Sequence, residues 1–202
     1  WAQDGMPLLP KNDLEVKVTA ISPSSQTLTD AAIAYEKLIP SPGDRVIQHP
    51  RNSPNDQSVA IVVESKYFSV LLGADLENVS DPAKGWQAVI DSTVRSAVRS
   101  HAVKVAHHGS ENGDHPELWT SLLESNPTAF VTRFASGRKP LPSPDDIKRL
   151  QSRTDKLYCT SRKPTQKAVH SDSSVRRTIA EMTSVFRSIN RSVGHLRLRV
   201  SL

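Results

Sequence analysis

Apolar and polar residues alternate from Leu14 to Ile21 (LEVKVTAI), the period of a half-exposed strand. After the turn at 22–25 the period lengthens. Leu28, Ala31, Ala32, Tyr35 and Leu38 share one stripe and predict a helix over 27–38. Residues 40–56 are rich in Pro, Ser, Asn and Gly and predict a loop. Two strands follow, 58–63 (SVAIVV) and 67–72 (YFSVLL), with Glu64-Ser65-Lys66 as a hairpin connection. Trp86, Val89, Ile90, Val94 and Val98 recur at helical spacing and predict a helix over 82–100, before a short buried strand at 102–106.

The same alternation of elements continues. His115-Pro116 predicts a helix start, with Leu118, Trp119, Leu122 and Leu123 as the apolar face. A strand is expected at 129–132. Ser143-Pro144-Asp145-Asp146 combines a capping Ser, Pro at the first position and acids in the first turn, so a helix should begin there with Ile147 and Leu150 inward. A strand at 156–160, a helix at 174–186 and an alternating closing strand at 194–202 (GHLRLRVSL) complete the pattern. Strands alternating with helices, with one hairpin, predict an α/β layered fold with a mixed sheet.

The chain has 202 residues, enough for one domain with a core. No run approaches the roughly 20 apolar residues of a membrane helix. The single cysteine, Cys159, excludes an internal disulfide framework and a cysteine-rich zinc site. It reads as a buried, inert thiol, and this cysteine usage leads us to expect a reducing, cytoplasmic setting. The net charge is +5. Its excess sits near the end, where Lys163, Lys167, Arg176, Arg177, Arg187, Arg191 and Arg197 face Asp172 and Glu181. Residues 163–202 therefore read either as a basic extension suited to an anionic partner such as nucleic acid, or as a solvated basic face. Neither G-x-x-x-x-G-K-[ST] nor G-x-G-x-x-G occurs, which disfavours a nucleotide-binding enzyme.

Two runs carry candidate chemistry, Leu71-Leu72-Gly73-Ala74-Asp75-Leu76-Glu77 and Val103-Lys104-Val105-Ala106-His107-His108-Gly109-Ser110. Each is an apolar strand that stops at metal-binding side chains. Asp75 follows two small residues at a strand end, where its carboxylate either bridges cations or caps a turn. Neighbouring strand residues face opposite ways. By that geometry one of His107 and His108 binds metal and the other orients a ligand, touches an anionic substrate or takes a proton; a purely structural pair is the alternative. His49, His101, His115, His170 and His195 are isolated, and His115 reads as part of a helix start.

The order of these motifs resembles the C-terminal half of a metallo-β-lactamase-fold hydrolase, in particular the hydrolase domain of DNA-uptake channel proteins and phosphorylcholine esterase. Asn55–Ser58 resembles that family's Asn-x-x-Ser lead-in. Phe130-Val131-Thr132-Arg133, Leu141-Pro142-Ser143-Pro144 and Leu157-Tyr158-Cys159-Thr160 resemble its later strands and helix start. The resemblance implies that residues 1–202 are the C-terminal part of one such domain, half or more of a four-layer αββα sandwich. It implies two divalent metals, zinc or manganese, with Asp75 bridging them and His108 as terminal ligand. It further places His107 towards substrate as a catalytic group and Glu77 as a substrate contact. The family's His-x-His-x-Asp-His motif does not occur here. The resemblance therefore implies that an N-terminal half or a partner chain completes the site, around a phosphodiester or nucleic acid substrate. From another class, the expectation is a noncatalytic binding or assembly subunit whose metal site has degenerated and whose basic face does the binding.

Overall fold

The computed structural model describes residues 2–9, 15–40, 54–95, 98–134, 140–160 and 196–199. The helix expected at 174–186 lies outside them, as does most of the basic extension. Residues 196–199, within the expected closing strand, form no strand.

Seven strands make one mixed sheet in sequence order: β1 (Pro7–Leu9), β2 (Lys17–Ala20), β3 (Ile61–Glu64), β4 (Ser69–Leu72), β5 (Ser100–Lys104), β6 (Leu123–Val131) and β7 (Leu157–Cys159). β1 to β4 pair antiparallel, and β4 to β7 pair parallel. The β3–β4 hairpin closes through a turn in which Ser65 N–H donates to the Phe68 carbonyl at 2.8 Å. The parallel half needs crossovers. α2 (Gly85–Asp91) lies between β4 and β5, and α3 (Pro144–Gln151) between β6 and β7.

α1 (Ser25–Glu36) begins where Ser24 accepts from the Thr27 amide, close to the expected boundary. α3 begins with a full capping box: Ser143 accepts from the Asp146 amide, and the Asp146 carboxylate accepts from the Ser143 amide. α2 is much shorter than the helix expected over 82–100. Ser92 turns extended after Asp91, and Val94 and Val98 are exposed rather than on a buried stripe. The helix expected after His115 is a π-helical turn, Leu118–Leu122, that runs straight into β6. The strand expected at 129–132 therefore starts six residues earlier.

Directly paired residues share a face of the sheet. Val62, Leu71, Val103 and Ala129 form one such row and are all buried. They join Trp86 and Val89 of α2, Leu118, Trp119 and Leu122 of the π-helical turn, and Leu150 of α3 in one core. Trp86 has no solvent exposure, and its indole N–H serves the Leu76 and Gly113 carbonyls at 3.2 and 3.0 Å. One buried ring thereby ties the segment after β4 to the segment after β5. Among the described residues, no helix is long and apolar enough to cross a membrane.

Candidate functional site

β4 to β7 run parallel, so the segments after Leu72, Lys104, Val131 and Cys159 emerge at one edge of the sheet, the usual place for a site in a parallel sheet. Asp75 and Glu77 follow β4; His107 and His108 follow β5; Thr132 follows β6. The loops approach closely because two residues lack side chains. A Cβ on Gly73 would stand 2.9 Å from the Ala106 Cβ, and one on Gly113 would stand 2.7 Å from the His107 Cβ.

The two histidines are not strand residues, so the expected opposite orientation is corrected. They lie in the 3₁₀ turn Ala106–Gly109, with φ of 42° at His107 and 53° at His108, followed by 78° at Gly109. A left-handed non-glycine residue costs roughly 1–2 kcal/mol. Such strain persists where the surroundings over-determine it. Here the His107 amide donates to the Ala74 carbonyl at 3.1 Å, and the Ser110 amide to the His107 carbonyl at 3.0 Å. The left-handed turn lets both imidazoles reach the same rim, 6.5 Å apart between ring centroids.

Each imidazole meets its own carboxylate. His107 Nδ1 lies 2.6 Å from Glu77 Oε1, a close contact without hydrogen-bond alignment. The same oxygen accepts from the Asn55 side-chain amide at 2.7 Å. His108 Nδ1 is 3.0 Å from the Thr132 carbonyl and 3.2 Å from its hydroxyl. A carbonyl can only accept, so Nδ1 carries the proton of the neutral ring and Nε2 holds the lone pair. Nε2 stands 3.8 Å from Asp75 Oδ1, too far for a hydrogen bond. Phe134 stacks on the His108 ring with centroids 5.0 Å apart.

Lys104, the last residue of β5, donates from Nζ to the Ala74 carbonyl at 3.0 Å. Burial draws its pKa down, and the Asp75 charge opposes this in part. Asp56, next to Asn55, is pushed up by burial and then by the Glu77 carboxylate. Asp56 also lines a cleft of about 250 Å³, together with Thr27, Asp30, Ala31, Ala34, Gln57 and Lys84. It includes none of the four expected site residues. His101 stacks on Phe68 and bonds Ser69, and His115 accepts from the Glu117 amide, so both are held away from the pair.

The four expected residues are thus brought to one rim as two carboxylate–imidazole pairs. Spacing alone did not mark Asn55, Lys104, Thr132 or Phe134 as part of it. Asn55 and Thr132 did fall inside runs that carried the resemblance, and Lys104 inside the histidine motif itself.

A carboxylate oxygen and an Nδ1-protonated imidazole suit zinc or manganese in kind. The His108–Thr132 bond is the outer support that metal-binding histidines ordinarily have. In number the donors fall short: among the described residues, no group of three or more His, Cys, Asp or Glu side chains could hold a metal ion. No family model, no curated protein and no solved structure matches the chain. The functional reading rests on this geometry and on the two motifs.

Proposed function

We propose that this chain is the C-terminal part of a metal-dependent hydrolase with a metallo-β-lactamase-like, four-layer αββα sandwich, acting on a phosphodiester such as that of nucleic acid. One observation carries the reading. The ends of two neighbouring parallel strands, β4 and β5, bring Asp75 and His108 to the same rim, and Thr132 fixes the imidazole so that its lone-pair nitrogen faces the carboxylate across 3.8 Å. The remaining ligands come from sequence upstream of this chain or from a partner. The apolar sheet face opposite the core supports a missing layer, because Ile61, Leu72 and Phe130 there are only half-buried.

In this reading Asp75 and His108 are the residues of this chain that would hold the divalent metal centre. When bound there, divalent ions would supply Lewis-acid polarisation of the phosphoryl oxygen and a water of lowered pKa. His107 presents Nε2 to the substrate, where it donates to a nonbridging oxygen or moves a proton. Glu77, besides any substrate contact, sets the His107 ring by facing Nδ1, with Asn55 steadying the carboxylate. Lys104 adds positive charge beside Asp75.

The test is zinc content and phosphodiester hydrolysis of the protein, together with whatever sequence precedes Trp1 in its gene, beside Asp75→Asn. Loss of both metal and activity in D75N is expected. Equal activity removes Asp75 from the chemistry.

A noncatalytic binding subunit is the second reading, and the short donor set among the described residues favours it. It predicts no stoichiometric zinc in the intact protein, with nucleic acid binding that survives D75N.

A further inference from the structure

We propose that Arg149 of α3 is the positioning residue of the paired-imidazole turn: its guanidinium holds the backbone that aims His107 and His108 at their carboxylates. Three successive positive φ angles at 107–109 make this turn one that only glycine would adopt readily. The turn therefore needs an external brace at its far end. Arg149 Nη2 donates to the Gly109 carbonyl at 2.7 Å. The same planar group donates from Nε to Asp114 Oδ2 at 3.0 Å and from Nη1 to Asp146 Oδ1 at 2.7 Å.

Both anions are themselves fixed. Asp114 is buried and accepts from the Trp119 indole at 2.6 Å, while its carbonyl accepts from Asn78 at 2.5 Å. Asp146 is locked into the cap of α3. Two immobile carboxylates thus set the guanidinium plane, and its third arm sets the carbonyl next to His108. Lysine, with a compact ammonium, cannot reproduce three coplanar donors. Arg149 touches neither imidazole and acts through the backbone between them and α3. The consequence for metal affinity rests on the proposed reading of Asp75 and His108; the consequence for the imidazoles does not.

The experiment uses the full chain with ¹⁵N-labelled histidine. Long-range ¹H–¹⁵N correlations report the tautomers of His107 and His108 in wild type, Arg149→Lys, Arg149→Ala and Val89→Ala, a core truncation that serves as the stability control. R149K and R149A should lose the Nδ1-protonated signature of His108. Added guanidinium should restore it in R149A, and V89A should keep it. R149K retains charge and stem, and decides the matter where R149A does not fold. Titration with Co²⁺ alone should show affinity about 10- to 100-fold weaker in R149K. Unchanged imidazole signatures in R149K, or an equal change in V89A, overturn the role. If wild type takes up no Co²⁺ while the imidazoles respond as stated, the metal reading of this chain fails and the role of Arg149 stands. If Co²⁺ binds equally to wild type and R149K with both imidazoles unmoved, the reverse holds.

Discussion

The two faces of the sheet are built from the same strands and are both apolar, yet they differ in cover. On one, Val62, Leu71, Val103 and Ala129 vanish beneath α2, α3 and the π-helical turn. On the other, the row Ile61, Leu72, Lys104, Phe130 and Tyr158 runs from half-buried to exposed, with Tyr158 48% exposed. Phe130 and Tyr158 stack on each other there, with centroids 6.0 Å apart. A sheet that faced water on one side would alternate apolar and polar residues; strands apolar on both faces belong to sheets covered twice. The difference teaches that the strands encode more burial than the described residues supply. The same asymmetry recurs at the rim, where two carboxylate–imidazole pairs are assembled but, among the described residues, too few metal donors are grouped.

Adjacent leucines give the sharpest way to break this comparison. Leu71 is 1% exposed and Leu72 is half-buried on the opposite face. Leu71→Ala should cost about 2–5 kcal/mol, as core truncations do. Leu72→Ala should cost well under half of that in the same urea titration. Equal losses would mean that the second face is already covered in this chain.

The rim between the faces gives the next largest effect. Gly73→Ala places a methyl 2.9 Å from the Ala106 Cβ and 3.0 Å from its amide nitrogen, where backbone cannot yield. The expected cost is about 1–3 kcal/mol. Because Gly73 spaces the Asp75 segment from the histidine turn, the His107 and His108 resonances should shift as well. A neutral substitution with unmoved histidines would show that the two loops are not packed together.

How much of this was legible in the sequence follows from which physical signal each element gives. Alternation revealed most strands, and Ser143-Pro144 announced α3, because period and caps are local properties. The helix expected over 82–100 failed because Val94 and Val98 continue the stripe by chance. Ser92 ends α2 by leaving the helix for a bond to Asp4 Oδ2 at 2.5 Å, a partner 88 residues away. Leu118–Leu123 read as a helical face because its four apolar residues are indeed all buried, but the chain changes from π-helix to strand between Leu122 and Leu123. The residues at the rim were legible as a group, since both motifs end strands. Their orientation was not. Strand alternation is the wrong rule for His107 and His108, and their left-handed backbone is imposed by Ala74, Gly113 and Arg149 from three other segments.

Acid sharpens the comparison from the covered side. Burial alone would raise the Asp146 pKa, but hydrogen bonds from Ser143 and Arg149 outweigh it and hold the carboxyl below its ordinary value. A carboxylate with a lowered folded-state pKa stabilises the fold above its unfolded value, near 3.8. That contribution disappears as pH falls through the lower, folded value. Asp146→Asn should therefore destabilise the chain by about 0.5–2 kcal/mol at pH 7, the range of a lost cap. The gap to wild type should close in chemical denaturation once the pH is well below 3.8. A gap that stayed constant down to acid would show that the charge of Asp146 contributes nothing.

Phe130→Thr should give the smallest change in stability, within about 0.5 kcal/mol, because the ring is only half-buried and its neighbour Tyr158 is exposed. Its effect should appear instead in association. An apolar face that water still reaches attracts a second surface, whether another copy of the chain or the layer that normally covers it. Light scattering across a concentration series should then show less self-association for F130T than for wild type at equal fold stability. A large loss of stability, with association unchanged, would place Phe130 in the closed core and make the two faces equivalent after all.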